Sequence, residues 1–313
     1  MDVRRRRGER VTLPGIRRGI LIEVQRRSAK VADGDGREHS CAYSPEIDLS
    51  TFSNFAVGDE VEFFPGDGAQ EPLITVLLPR RNKISRPGPG ERHAQELILA
   101  ANVDLLVIVA SATRPEFNPR LVDRYLAVAE HFEIEAVLCV NKSDLLKDLP
   151  AEAGYLRGIG YKVFSSSAET GAGIEELRAC LRGRLSVFSG ASGVGKSSLA
   201  KVLMPGLETR IGDVRPDGRG RHTTTTSRLY SEGGIRFIDT PGIRELGLWG
   251  VHPSALTGLW RDFRPFQGKC RFTDCGHRTE PGCAVLEAVR TGIIPDFRLQ
   301  SYYRVVDTQG MEP

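Results

Sequence analysis

The stretch FSGASGVGKSSL at 188–199 follows an apolar run and precedes a helical pattern, so a glycine-rich turn must link a strand to a helix there. Gly190 to Ser197 match G-x-x-x-x-G-K-[ST]. In that spacing backbone N–H groups and a helix N-terminus surround phosphate oxygens, Lys196 reaches the terminal phosphates and Ser197 ligates Mg²⁺. The candidate loop is Gly190, Ala191, Ser192, Gly193, Val194, Gly195, Lys196, Ser197 and Ser198. A second motif, NKSD at 141–144, has already passed by then. In domains that read guanine nucleotides the phosphate loop comes first and Asn-Lys-x-Asp comes late. The reversed order requires a sheet cut at one surface loop and rejoined at another, which leaves the strand neighbours unchanged.

The surrounding pattern supplies such a sheet. From about 95 to 248 the apolar runs VDLLVIVAS, EAVLCVNKSD, SVFSGAS and GIRFIDTPG alternate with helical patterns such as LVDRYLAVAEHF and GIEELRACLRGRL. That alternation predicts parallel strands with helices on both faces. Residues 15 to about 79 differ: GILIEVQ, KVA, DEVEFF and LITVLL are separated by turns such as ADGDG and FPGDG, which predicts a small all-β barrel or sandwich. SRPGPGE at 85–91 reads as a linker. Beyond about 249 come Trp249, Trp260, a Cys/His cluster and a helical pattern around AVLEAVRTG.

A chain of 313 residues, 40% of them hydrophobic, accommodates two or three such domains. No apolar run reaches the roughly 18 residues of a membrane span, and MDVRRRRGER leads into no secretory apolar region, so a cytoplasmic protein is expected. Net charge is only +3, yet residues 1–30 hold ten Arg/Lys against Asp2, Glu9 and Glu23, and residues 80–93 hold five against Glu91. Such runs suit a polyanion such as RNA, or equally a solvated tail.

FIDTPG at 237–242 supplies the counterpart of the phosphate loop. Asp239 ends an apolar strand, where it can hold the Mg²⁺ shell, and the Gly242 N–H can meet a γ-phosphate. Asn141, Lys142, Ser143 and Asp144 follow the apolar strand AVLCV. The Asp144 carboxylate can accept from both the ring N–H and the exocyclic amine of guanine, while the Lys142 stem packs along the base; adenine offers no such donor pair. GTP is the expected nucleotide. In SSAETG, the backbone of Ser167 and Ala168 can close over the guanine oxygen, although the same residues suit a helix-capping turn. An ATP-dependent P-loop enzyme has no reason to hold Asn141, Lys142 and Asp144. A nucleotide-regulated RNA-binding scaffold, or another RNA-associated P-loop NTPase, stays open on these residues.

Cys270, Cys275, His277 and Cys283 form C-x4-C-x-H-x5-C. Three thiolates and one imidazole suit a closed tetrahedral site with no position for substrate, hence one structural zinc ion. Redox-active thiols or buried cysteines are the other readings. Cys41, Cys139 and Cys180 stand alone in strand or helix patterns and read as small core residues. Ile243 follows Gly242, where many small GTPases carry a Gln that orients the attacking water. His222, just before the threonines of GDVRPDGRGRHTTTT, can accept that water's hydrogen bond as a neutral imidazole. A solvated histidine, or one contacting RNA beside Arg219 and Arg221, is the alternative.

A β-rich N-terminal region, then NKSD, GASGVGKSS, RHTTTT and DTPG in permuted order, then the Cys/His cluster, resemble over nearly the whole chain the RsgA family of bacterial small-ribosomal-subunit biogenesis GTPases. The resemblance implies a multidomain α/β protein. Its parts are an OB-fold-like RNA-binding barrel with a basic arm over 1–84, a circularly permuted P-loop GTPase domain over 85–248, and a zinc-binding domain with helices over 249–313. It implies a monomer without membrane attachment that hydrolyses GTP in late 30S maturation, binds 16S rRNA, meets assembly factors and is stimulated by 30S. It also points to His222 as the water-positioning group, assisted by Lys196 and Thr224. Among the threonines at 223–226, Thr224 is favoured as the Mg²⁺ ligand with Thr223 and Thr225 close behind, joining Ser197 and Asp239. Glu169 follows Ser-Ala where similar proteins often carry Lys, so no role is carried over to that side chain.

Overall fold

The computed structural model describes residues 15–47, 55–87, 96–207, 227–240, 248, 251 and 253–309. Five strands close a barrel at the N-terminal end: β1 (Arg17–Val24), β2 (Ser28–Asp33), β3 (Glu38–Tyr43), β4 (Glu60–Phe64) and β5 (Leu73–Leu77). β1 pairs antiparallel with both β2 and β4, and closure comes through β2–β3, a parallel β3–β5 pair and β5–β4. Alternate residues point inward, and Leu21, Val31, Cys41, Phe63 and Ile74 fill the lumen. Between the possibilities of barrel and sandwich, closure decides for the barrel. The run EHSCAY of β3 is polar enough that hydropathy does not mark it as a strand.

A two-stranded ribbon of β6 (Lys83–Pro87) and β7 (Glu96–Ala101) leads on to the central sheet. Ser85 to Pro87, expected to begin a linker, therefore end a strand; 88–91 lie outside the described residues. The sheet holds β8 (Leu105–Ser111), β9 (Glu135–Asn141), β10 (Lys162–Ser165), β11 (Leu185–Ser189), β12 (Arg228–Glu232) and β13 (Ile235–Asp239). Its order is β10-β9-β8-β11-β13-β12, parallel except for β12. Both faces are covered, so β8 is buried throughout and apolar from Leu105 to Ala110. Leu106, Ile108 and Ala110 pack on one side, and Leu105, Val107 and Val109 on the other, towards α3 (Ile174–Leu181) and α4 (Lys196–Leu203).

The first side carries α1 (Pro119–His131) and α2 (Ala151–Gly158). α1 starts where Asn118 Oδ1 accepts from the Leu121 N–H at 3.2 Å with Pro119 at the first helical position. The C-terminal residues form α5 (Pro253–Leu256), α6 (Ala284–Arg290) and α7 (Asp296–Gln309). Trp260, Phe263, Val285, Leu299 and Tyr302 join the same core as Tyr125 and Leu126 of α1. Cys139 is a core residue of the sheet, whereas Cys180 is half-buried at the edge of its core.

β12 also pairs antiparallel with β1 of the barrel, Glu23 opposite Arg228, and the ladder continues through both units. The Arg228 guanidinium lies 3.4 Å from the Glu23 carboxylate. A second junction is polar and buried: Asp59 accepts from Arg80 Nε at 2.5 Å and Nη2 at 2.7 Å, and Asn102 Nδ2 donates to the Gly58 carbonyl at 3.0 Å. Gly58 has φ +95°, and a Cβ there would sit 2.2 Å from the Ala101 carbonyl oxygen. Gly58→Ala should therefore cost roughly 2–4 kcal/mol, adding left-handed strain to overpacking. A fall in the urea midpoint with unchanged m-value checks this.

Candidate functional site

The parallel pairing sets the ends of β9, β11 and β13 side by side, and the crevice beyond them collects the motifs read from the sequence. Asn141 closes β9 at 1% exposure. Its Nδ2 donates to the Val194 carbonyl at 2.9 Å, and its Oδ1 accepts from the Ala168 N–H at 3.2 Å. One buried amide thus ties the phosphate loop to the base-closing loop. Lys142 follows with φ +61°, and its Nζ donates to the Gly193 carbonyl at 2.7 Å and also to the Arg114 carbonyl. Ser143 to Leu145 make one 3-10 turn, anchored by Ser143 N–H donating to the Ser166 carbonyl at 3.0 Å. That turn leaves the Asp144 carboxylate exposed at the mouth of the crevice.

SSAETG closes on itself. Ser167 is buried; its Oγ accepts from the Thr170 N–H at 3.1 Å and its own N–H donates to the Ala172 carbonyl at 2.9 Å. α3 begins later, with Gly173 as N-cap and no side-chain cap.

In the phosphate loop two glycines are dictated by space. Gly190 has φ +147° and a Cβ would lie 2.1 Å from the Val109 carbonyl oxygen; Gly195 has φ +96° and a Cβ would lie 2.2 Å from Asn141 Nδ2. Val194 is buried and anchors the loop, whereas Ser192, Gly193, Ser197 and Ser198 are exposed and Ala191 is half-buried. Lys196 crosses the loop, with Nζ donating to the Gly190 and Ala191 carbonyls at 2.8 and 2.6 Å. An ammonium held there, with the N–H groups that open α4, suits a chain of phosphates. Asp239 ends β13 one residue after Ile238, which pairs with Val187 of β11. Ser197 and Asp239 offer oxygen donors of the type a hydrated Mg²⁺ takes. His222, Thr223, Thr224, Thr225 and Gly242 lie outside the described residues, as do Trp249 and the basic arm at 1–14.

Cys270, Cys275, His277 and Cys283 converge separately, with their ligand atoms all within 4.8 Å of one another. His277 Nδ1 lies 3.2 Å from Cys283 Sγ and 3.6 Å from Cys270 Sγ, and the two sulfurs are 3.9 Å apart. Those separations are the edges of a tetrahedron around one zinc-sized ion with Zn–S near ~2.3 Å. Burial pushes the Cys275 thiol up to about 12 and raises Cys283 as well, so a cation must displace the protons for thiolates to form. Sequence reasoning missed what shapes the loop. Glu280 accepts from the N–H groups of Gly276, Arg278 and Thr279 at 2.8, 2.7 and 3.0 Å. Against the burial that would raise it, these bonds hold the Glu280 carboxyl down to about 2. Tyr303 Oη donates to the His277 carbonyl at 2.5 Å, which fastens the cluster to α7.

Fold and crevice together define a circularly permuted P-loop GTPase. The family description RsgA GTPase matches residues 77–249. The small ribosomal subunit biogenesis GTPase RsgA of Pseudomonas aeruginosa is 40% identical over 295 residues, which cover 92% of this chain and 82% of that protein. Its counterpart in Actinobacillus pleuropneumoniae is 36% identical over 305 residues, 94% of this chain and 86% of that protein. The crystal structure of YjeQ from Thermotoga maritima superposes with a TM-score of 0.75 at 31% identity, covering 95% of this chain and all of that one. The circularly permuted GTPase YloQ gives 0.74 at 26% identity over 98% of this chain and 99% of that one. This chain belongs to the RsgA GTPase family.

Asn141→Ala leaves the Val194 carbonyl and the Ala168 N–H unpaired. We expect a stability loss of roughly 2–4 kcal/mol at one to two per orphaned group, together with weaker guanine-nucleotide binding. Urea unfolding and a fluorescent-GDP titration of the same preparation read the two effects.

Proposed function

We propose that this chain hydrolyses GTP during late maturation of the 30S ribosomal subunit, acting as a cytoplasmic monomer that docks on 16S rRNA and is stimulated by the subunit. The convergence of the Asn141 turn, the SSAETG turn and the phosphate loop at one crevice carries the reading. Membership in a family whose relatives are named for small-subunit biogenesis supplies the setting.

The residues divide the work. Asp144 receives the two guanine donors, Lys142 lies along the base, and the Ala168 backbone meets the guanine oxygen. N–H groups from Gly190 to Ser198 and the Lys196 ammonium hold the phosphates, so charge building towards the leaving β-phosphate meets donors already in place. Ser197, Thr224 and the shell of Asp239 would hold Mg²⁺, which would supply charge neutralisation at the phosphates. His222 accepts a hydrogen bond from the attacking water and orients it in line with the γ-phosphorus. Because Ile243 stands where many GTPases carry glutamine, the water depends on His222, and contact with the subunit is what fixes His222 in place. The four ligands at 270–283 hold one structural zinc ion, apart from the GTP crevice. The basic arm and the exposed arginines Arg17, Arg18, Arg26 and Arg27 of the barrel face rRNA phosphates.

GTP turnover, and not ATP turnover, should rise strongly with 30S subunits and little with 50S subunits or free RNA. In the same assay His222→Ala should keep GTP affinity and lose about 10²-fold or more of the stimulated rate. Equal stimulation by 30S and 50S would place the protein elsewhere. For the metal, Glu280→Ala should weaken zinc retention roughly 10–100-fold, the usual effect of removing a group that orients ligands. Competition with a chromophoric chelator measures it.

A further inference from the structure

α1 is enclosed on both sides. Every residue from Val122 to Ala129 except Arg124 is buried, because the sheet covers one face and α7 the other. One ion network sits in the second interface. Arg298 of α7 donates through Nε and Nη2 to Asp262 at 2.9 and 2.7 Å and through Nη1 to Asp123 of α1. The three side chains are 1%, 3% and 0% exposed, and Tyr155 Oη donates to Asp262 at 3.1 Å. A guanidinium is suited to this fork, and removing it would leave two buried carboxylates without their cation.

The same turn of α1 looks onto the phosphate loop. Pro115, Leu121 and Val122 face Gly190, Ala191 and Val194 across a cavity of about 100 Å³. At its mouth the Lys142 ammonium bridges the carbonyls of Arg114 and Gly193. The C-terminal helices therefore grip α1 one residue away from Val122, which lines that cavity opposite the loop. We propose that Arg298 is a positioning residue of the nucleotide site: through Asp123 it sets the first turn of α1 against the phosphate loop. Nucleotide affinity then depends on the last helix, and nucleotide binding stabilises the C-terminal helices in return, since such coupling is reciprocal. This rests on the reading of Gly190–Ser198 as the phosphate loop.

The test uses the full zinc-loaded chain with fluorescent GDP, zinc content and hydrogen exchange as readouts. Arg298→Met and Asp123→Leu should each weaken GDP binding roughly tenfold, within the coupling range of one side-chain network. KM for GTP should rise in both with the intrinsic kcat held. The double variant should cost no more than either single one, and exchange at 121–123 and 190–196 should quicken in all three. Chelated wild type, in which Arg298 and Asp123 remain, is the control for a loosened C-terminal unit. If chelation costs as much affinity as Arg298→Met, the positioning role is overturned. Should Arg298→Met lose its zinc, Asp123→Leu decides, because Arg298 keeps Asp262 there; wild-type GDP affinity with zinc retained in that variant overturns the proposal. Wild-type protein that binds no GDP would overturn the loop assignment itself, a result separable from any effect of the variants.

Discussion

The site depends on a single buried amide used at both ends. Asn141 donates to the loop carbonyl of Val194 and accepts from the N–H of Ala168, across sequence separations of 53 and 27 residues. Neither bond is sensitive to the direction in which the chain visits the strands. In a parallel sheet the neighbours of β8, β9, β11 and β13 fix where their carboxyl ends lie, so cutting and rejoining the chain moves the termini and leaves the crevice alone. The rejoined order ties the sheet directly to both neighbours: β12 pairs on its outer edge with β1 of the barrel, and the chain beyond β13 runs on to the C-terminal helices.

Much of this was legible because chemistry restricts the residue types. A phosphate cradle needs glycines and a lysine at one spacing, guanine needs a carboxylate after Asn-Lys, and a closed zinc site needs four soft ligands close in sequence. The parallel strands were legible as well, since burial on both faces makes the middle of β8 and β9 a continuous apolar run. What escaped is nonlocal or polar. β12, RLYSE, is a strand because antiparallel partners wait on both edges, which no local pattern records. α7 escaped because its buried set, Arg298, Leu299, Ser301, Tyr302 and Val305, contains a cation and a hydroxyl, so hydropathy does not outline its inner face. Lys142 was assigned to the base, and its second duty, joining the Arg114 and Gly193 carbonyls, becomes visible only when two distant loops meet. Glu280 looks like any acidic loop residue until three N–H groups are seen to point at it.

The C-terminal region, which carries the four-ligand cluster, has helices and 3-10 turns and no strand among the described residues, so no sheet ladder holds it together. Yet it must present Arg298 and the Trp260–Tyr302 edge-to-face pair, ring centroids 5.3 Å apart, to α1 in one fixed arrangement. A four-ligand zinc site contributes on the order of 10–16 kcal/mol to a small domain at neutral pH, several times what one buried ion network can return. Tyr303 carries that rigidity from the His277 carbonyl into α7, and Arg261 and Arg264 add a second grip on Glu130 at the far end of α1, at 2.5 and 2.6 Å. The Cys/His loop is thus fastened to α7 and α7 to α1, while the link towards the phosphate loop runs through Arg298 and Asp123 and not through the cluster itself.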